Sequence, residues 1–135
     1  MSMGYGGVAQ IVLEDADTVI YAYAPYDLGA PKYSNREGIY DGMIEIRKDA
    51  LAEPEIHEKR KRMPSGRKKI VTKRIRQDVD YAALIASGKI VVQNSRFCWH
   101  IMNNGVGMIA MRLIFRIFQQ YQDEGALPKE IGYHV

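Results

Sequence analysis

The sequence predicts an α+β domain: a mostly antiparallel sheet of four to six strands, with a long apolar C-terminal helix (106–124) packed on one face. Two observations carry that prediction. Alternating apolar residues and a tight polar turn dominate the first third of the chain, and the strongest helical pattern comes last. At 135 residues the chain can bury one hydrophobic core and not two ordinary ones, so 1–135 reads as a single domain. Hydrophobic residues at 47% and charged residues at 26% exclude collagen-like, coiled-coil and largely disordered chains.

Residues 8–14 and 18–24 read as two strands joined by Asp15-Ala16-Asp17, a short polar link suited to a hairpin. Pro25, Gly29, Pro31 and Gly38 mark a loop over 25–38. A third strand, 39–47, sends Tyr40, Ile44 and Ile46 one way and Asp41, Glu45 and Arg47 the other, which gives the sheet one wet face.

Residues 54–62 read as a helix. Pro54 suits a first helical position, acids at 53, 55 and 58 precede bases at 59–62, and Glu55–Lys59 and Glu58–Arg62 have the favourable i, i+4 order. Pro64-Ser65-Gly66 turns the chain. Residues 67–76 follow as an edge strand or projecting arm, because charge falls on both of its alternating faces. Asp78 or Asp80 can cap a short helix through about Ser87, which Gly88 stops in the left-handed conformation.

Another strand covers 89–93. Asn94-Ser95-Arg96 shifts the apolar parity to Phe97, Trp99 and Ile101, implying a bulge or a hairpin. In the 106–124 helix, Arg112, Arg116, Gln119, Gln120 and Asp123 gather on one narrow stripe, leaving an apolar arc over more than half the circumference. Such a helix needs cover on more than one side, from the sheet or from a second subunit, so a homodimer through 106–124 is one expectation. Gly125 and Pro128 end it.

Charge is segregated. Residues 1–58 hold four bases and eleven acids, residues 59–76 hold ten bases and no acid, and the remainder is neutral, within a net charge of +3. Dense fixed cations displace condensed counterions from a nucleic-acid backbone, so the tract Lys59, Arg60, Lys61, Arg62, Arg67, Lys68, Lys69, Lys73, Arg74 and Arg76 is the candidate site for a polyanion such as RNA or DNA. The duller alternative folds the tract against the acidic first half and neutralises it.

Other chemistry is thinner. Tyr21, Tyr23 and Tyr26 could stack on exposed bases, although strand tyrosines are more often half-buried core residues. Cys98 and His100 at i, i+2 would share a strand face, yet their backbones lie about 7 Å apart, loose for a nucleophile and its base. Gly105-Val106-Gly107 at a helix start could offer amides to a phosphate but lacks the rest of a dinucleotide fingerprint. Three histidines and one cysteine leave little for a metal centre, and no cofactor is expected.

The chain starts without a secretory pattern, contains no apolar run of about 18 residues, and carries a single cysteine, so a cytoplasmic, membrane-free protein is expected. The functional expectation is a non-enzymatic protein whose basic segment 59–76 contacts a polyanion. The alternative is a protein–protein interaction module, such as an inhibitor or immunity-type protein, meeting an acidic partner surface. A small enzyme built on Cys98 and His100 stands third.

Overall fold

A computed structural model describes residues 4–135. Five antiparallel strands form the main sheet in the order β6-β3-β2-β1-β7. These are β1 (Tyr5–Glu14), β2 (Thr18–Asp27), β3 (Gly42–Arg47), β6 (Ile90–Gln93) and β7 (Glu130–His134). Strands β4 (Glu55–Arg62) and β5 (Lys68–Ile75) pair only with each other in a separate ribbon. Among the described residues, two α-helices, α1 (Tyr81–Ala86) and α2 (Met108–Glu124), and two single-turn 3-10 helices, Pro31–Tyr33 and Lys48–Ala50, complete the fold.

The α+β class, the antiparallel sheet and the C-terminal helix are as the sequence predicts. The Asp15 carboxylate accepts from the amides of Asp17 and Thr18, closing the first hairpin. Those two bonds favour the ionised form and hold the Asp15 carboxyl below its ordinary value. Asp80 caps α1 through the Ala83 amide, and Gly88 and Gly125 end the two helices with left-handed φ of 80° and 76°.

Strand β2 runs on through Pro25, where a loop is expected from sequence. Its pairing explains the tolerance: Pro25 faces Gly7 of β1, but β3 begins opposite Tyr23, so no ladder partner lies on the other side of Pro25. Strand β7 answers to no expectation. Its Ile131 and Tyr133 pack against the core while Glu130 and His134 are exposed, a five-residue alternation too short to stand out.

Residues 97–101 form a loop with one isolated bridge, Ile101 to Gly107, and no strand. Its neighbours use side chains where a ladder would use backbone. Asn94 Nδ2 donates to the Gly105 carbonyl and its Oδ1 accepts from the Gly107 amide, and Ser95 Oγ bonds the Asp41 carboxylate.

The core lies between the sheet and α2. Val19, Tyr21, Tyr23, Ile44, Ile46 and Ile90 face Ile109, Leu113, Ile114, Ile117 and Phe118. The helix sits close to β1, since a Cβ on Gly7 would come within 2.5 Å of Ile109 Cγ2. A second flank of α2 is covered by α1: the Tyr81 ring lies 4.7 Å from Phe115 and 5.3 Å from Phe118. Sheet and α1 together cover the wide apolar arc from within one chain, so the arc does not itself require a second subunit. No helix among the described residues is long and apolar enough to cross a membrane.

Candidate nucleic-acid interface

The expected helix over 54–62 is a strand. Apart from Pro54 at its start, its helical cues were surface electrostatics, worth a few tenths of a kcal/mol per pair, and only Ile56 and Met63 could have anchored it to a core. Pairing with β5 instead sets eight residues in register, from Glu55 opposite Ile75 to Arg62 opposite Lys68, and satisfies the backbone groups on the inner edge of each strand. The chain reverses at Met63–Arg67, where the Met63 amide donates to the Arg67 carbonyl at 2.7 Å. Gly66 takes a left-handed φ of 81° in that turn, a conformation that glycine adopts without strain.

The product is a projecting arm. Every residue of β4 is exposed, as is every residue of β5 except the half-buried Ile75. Eight residues at about 3.3 Å each give an arm roughly 26 Å long. Residues directly opposite in an antiparallel pair share a face, so the register sorts the charges. One face carries Lys59, Lys61, Lys69 and Lys73; the other carries Arg60, Arg62, Lys68 and Arg74. Arg67 stands at the tip.

The root is fixed to the last turn of α2. Gln122, only 3% exposed, accepts from the Gln77 amide at 2.6 Å and donates to the Gln77 carbonyl at 3.1 Å. The Arg76 guanidinium grips both oxygens of Asp123, at 2.8 and 2.6 Å. Arg74 donates to the Gln122 carbonyl at 3.4 Å, placing a cation at the negative end of the helix dipole. Tyr121 bonds Glu53, and the adjoining Pro54 is buried.

An isolated two-stranded ribbon is marginal in water, so this clamp sets the arm's position. Gln122→Leu should therefore leave two Gln77 backbone groups unpartnered, lowering stability by about 1–3 kcal/mol. Hydrogen-exchange protection at Gln77 would fall first; unchanged protection there would refute the clamp. The bond to Arg76 also holds the Asp123 carboxyl below its ordinary value. A carboxylate lowered on folding stabilises above its unfolded value and loses that contribution as pH falls through its folded one. Protection at the root should accordingly decline in acid, below about pH 4.

Arg74 and Arg76 are thus engaged at the root. Among the described residues, the other eight cations of the tract hold neither an ion pair nor a side-chain hydrogen bond. Of the acids in the first half, three are paired with other cations. Glu14 pairs with Lys48 at 2.7 Å, Asp41 with Arg96 at 3.3 Å, and Asp49 lies 3.8 Å from both Arg47 and Lys89. On the arm itself Glu55 pairs with His57 at 2.8 Å, while Glu58 stands beside Arg60 on the same face without an ion pair among the described residues. The folded-back alternative is therefore corrected: the tract projects.

The remaining candidates resolve into structure. Tyr21 is 0% exposed and its hydroxyl donates to the Pro128 carbonyl at 2.6 Å, while the Tyr23 hydroxyl accepts from the Ser95 amide at 3.1 Å. Burial pushes the Tyr21 phenol well up and that of Tyr23 to about 12. Tyr26 bonds His134 Nδ1 at 2.6 Å. None of this trio forms a free stacking platform.

Cys98 Sγ donates to the His100 backbone carbonyl at 3.3 Å, and burial pushes its thiol up. Among the described residues, its hydrogen-bond partners are backbone groups and no side-chain base bonds it. Alkylation of the native thiol should keep accelerating above the pH at which a free cysteine has levelled off, and Cys98→Ser should leave polyanion binding intact. A thiol already fully reactive at neutral pH would contradict this.

The glycine-rich helix start has no amides at 106–108 left for a phosphate. Those of Val106, Gly107 and Met108 donate to Asn104 Oδ1, Asn94 Oδ1 and the His100 carbonyl. Among the described residues, no three His, Cys, Asp or Glu side chains gather as a metal site. No protein-family model, curated protein or solved structure matches the chain.

Proposed function

We propose that this protein binds polyanions, nucleic acid foremost, through the β4–β5 arm. One observation carries the reading: eight cations, none in an ion pair among the described residues, on a solvated ribbon about 26 Å long that holds only two acids, Glu55 and Glu58, both in the half nearer its root. Self-repulsion among fixed cations raises the free energy of the unbound arm, and phosphate neutralisation relieves it while releasing counterions. The binding residues are Lys59, Arg60, Lys61, Arg62, Arg67, Lys68, Lys69 and Lys73. Arg74, read from sequence as part of the same set, belongs to the root.

A second reading, an inhibitor-type module that docks on an acidic protein, draws on Ile56 and Ile70, which are 55% and 58% exposed among the cations. A groove in a partner protein would bury them. Titration of a labelled oligonucleotide at about 50 mM salt separates the two, because the phosphate-driven attraction is near its strongest there. Saturable binding is the expected result. Its absence at that salt overturns the nucleic-acid reading and moves the protein partner to first place.

A further inference from the structure

The arm's two faces bear on which nucleic acid it fits. Residues 55–75 contain no Phe, Tyr or Trp, so the arm lacks the stacking surface on which single-strand binders rely. Its cations are instead divided between opposite faces, with four lysines on one and Arg60, Arg62 and Lys68 on the other. The acids, Glu55 on the first and Glu58 on the second, lie toward the root, so every charge on the outer half of each face is a cation. A single phosphate strand, or a flat array of phosphates, can meet only one face at a time. Two phosphate walls facing each other across a groove can meet both.

Groove dimensions choose among duplexes. Packed sheets lie about 10 Å apart, which is also the thickness of one ribbon with its side chains. Entering edge-on, such a ribbon fits the roughly 12 Å major groove of B-form DNA and is too thick for the roughly 6 Å minor groove. The A-form RNA major groove is deep and narrow, and closed to it. Extending the reading above, on which this inference rests, we propose that the arm occupies the major groove of double-stranded DNA, its lysine face on one phosphate wall and its arginine face on the other.

The test uses the full chain with a labelled 20-base-pair DNA duplex, its separated single strand and an RNA duplex of the same sequence. Two variants each neutralise one face: Lys59→Gln, Lys61→Gln, Lys69→Gln and Lys73→Gln together, or Arg60→Gln, Arg62→Gln and Lys68→Gln together. The DNA duplex should bind at least about tenfold more tightly than the other two, and each face variant should lose affinity and flatten the salt slope by about 3. A DNA duplex whose major groove is filled by glucosylated hydroxymethylcytosine should bind wild-type protein at least about tenfold more weakly.

Equal affinity for single strands or for RNA, one silent face, or indifference to the filled groove would each overturn the major-groove proposal while leaving polyanion binding standing. No binding to any of the three overturns the broader reading as well. The filled-groove comparison needs no variant, so it decides the matter even if a substituted arm frays.

Discussion

Replacing Phe118 by alanine should lower the unfolding free energy by about 3–5 kcal/mol, a large share of the stability of a domain this size. Phe118 is 1% exposed, packed among the residues between α2 and the sheet and edge-on to Tyr81. Truncation removes transfer free energy and leaves a cavity that strands on one side and α1 on the other cannot close. Phe115 is only partly buried against Tyr81, so Phe115→Ala should cost less. Denaturant titration reads both. A loss below about 1 kcal/mol at both positions would mean that α2 is not the helix on which the core is built.

Reversal of Arg67, Lys68 and Lys69 to Glu should weaken oligonucleotide binding by at least about a hundredfold at low salt while moving the melting temperature little. Substituted surface charges that hold no partner contribute little to folding, and charge reversal converts three phosphate contacts into repulsions. All three lie at or next to the tip, far from the Gln77–Gln122 clamp. A clear drop in melting temperature with unchanged binding would indicate instead that these side chains support the fold.

The legibility of this chain in its sequence follows from where each element gets its stability. Strands β1, β2 and β3 and helix α2 bury an apolar face, and burial writes a period into the sequence. Ile44 and Ile46, both 0% exposed, alternate with the half-buried Glu45 and the exposed Arg47 as a one-sided sheet requires. The arm buries almost nothing and writes no such period. Its first strand carried charge spacings that suit a helix, while the hairpin signal, two basic runs of like length around Met63-Pro64-Ser65-Gly66, was legible only as a turn between unlike elements.

The candidate site was readable as composition and unreadable as geometry. Ten cations without an acid located the tract. The division of its lysines and arginines between two faces depends on the β4–β5 register, which pairs Lys61 with Lys69 and Arg62 with Lys68. The withdrawal of Arg74 and Arg76 into the root depends on α2 ending beside them, a contact between residues about 47 positions apart. Likewise, no sequence pattern shows that Asn104 and Asn94 take the helix-start amides of Val106 and Gly107.

The central claim is that the arm engages polyanions by charge, and the salt dependence of wild-type binding tests it most directly. Between about four and eight neutralised phosphates should give a slope of log K against log salt of about −4 to −7 on duplex DNA, with little variation among base sequences. A slope near zero, or binding that persists unchanged from about 50 to 200 mM salt, would contradict it.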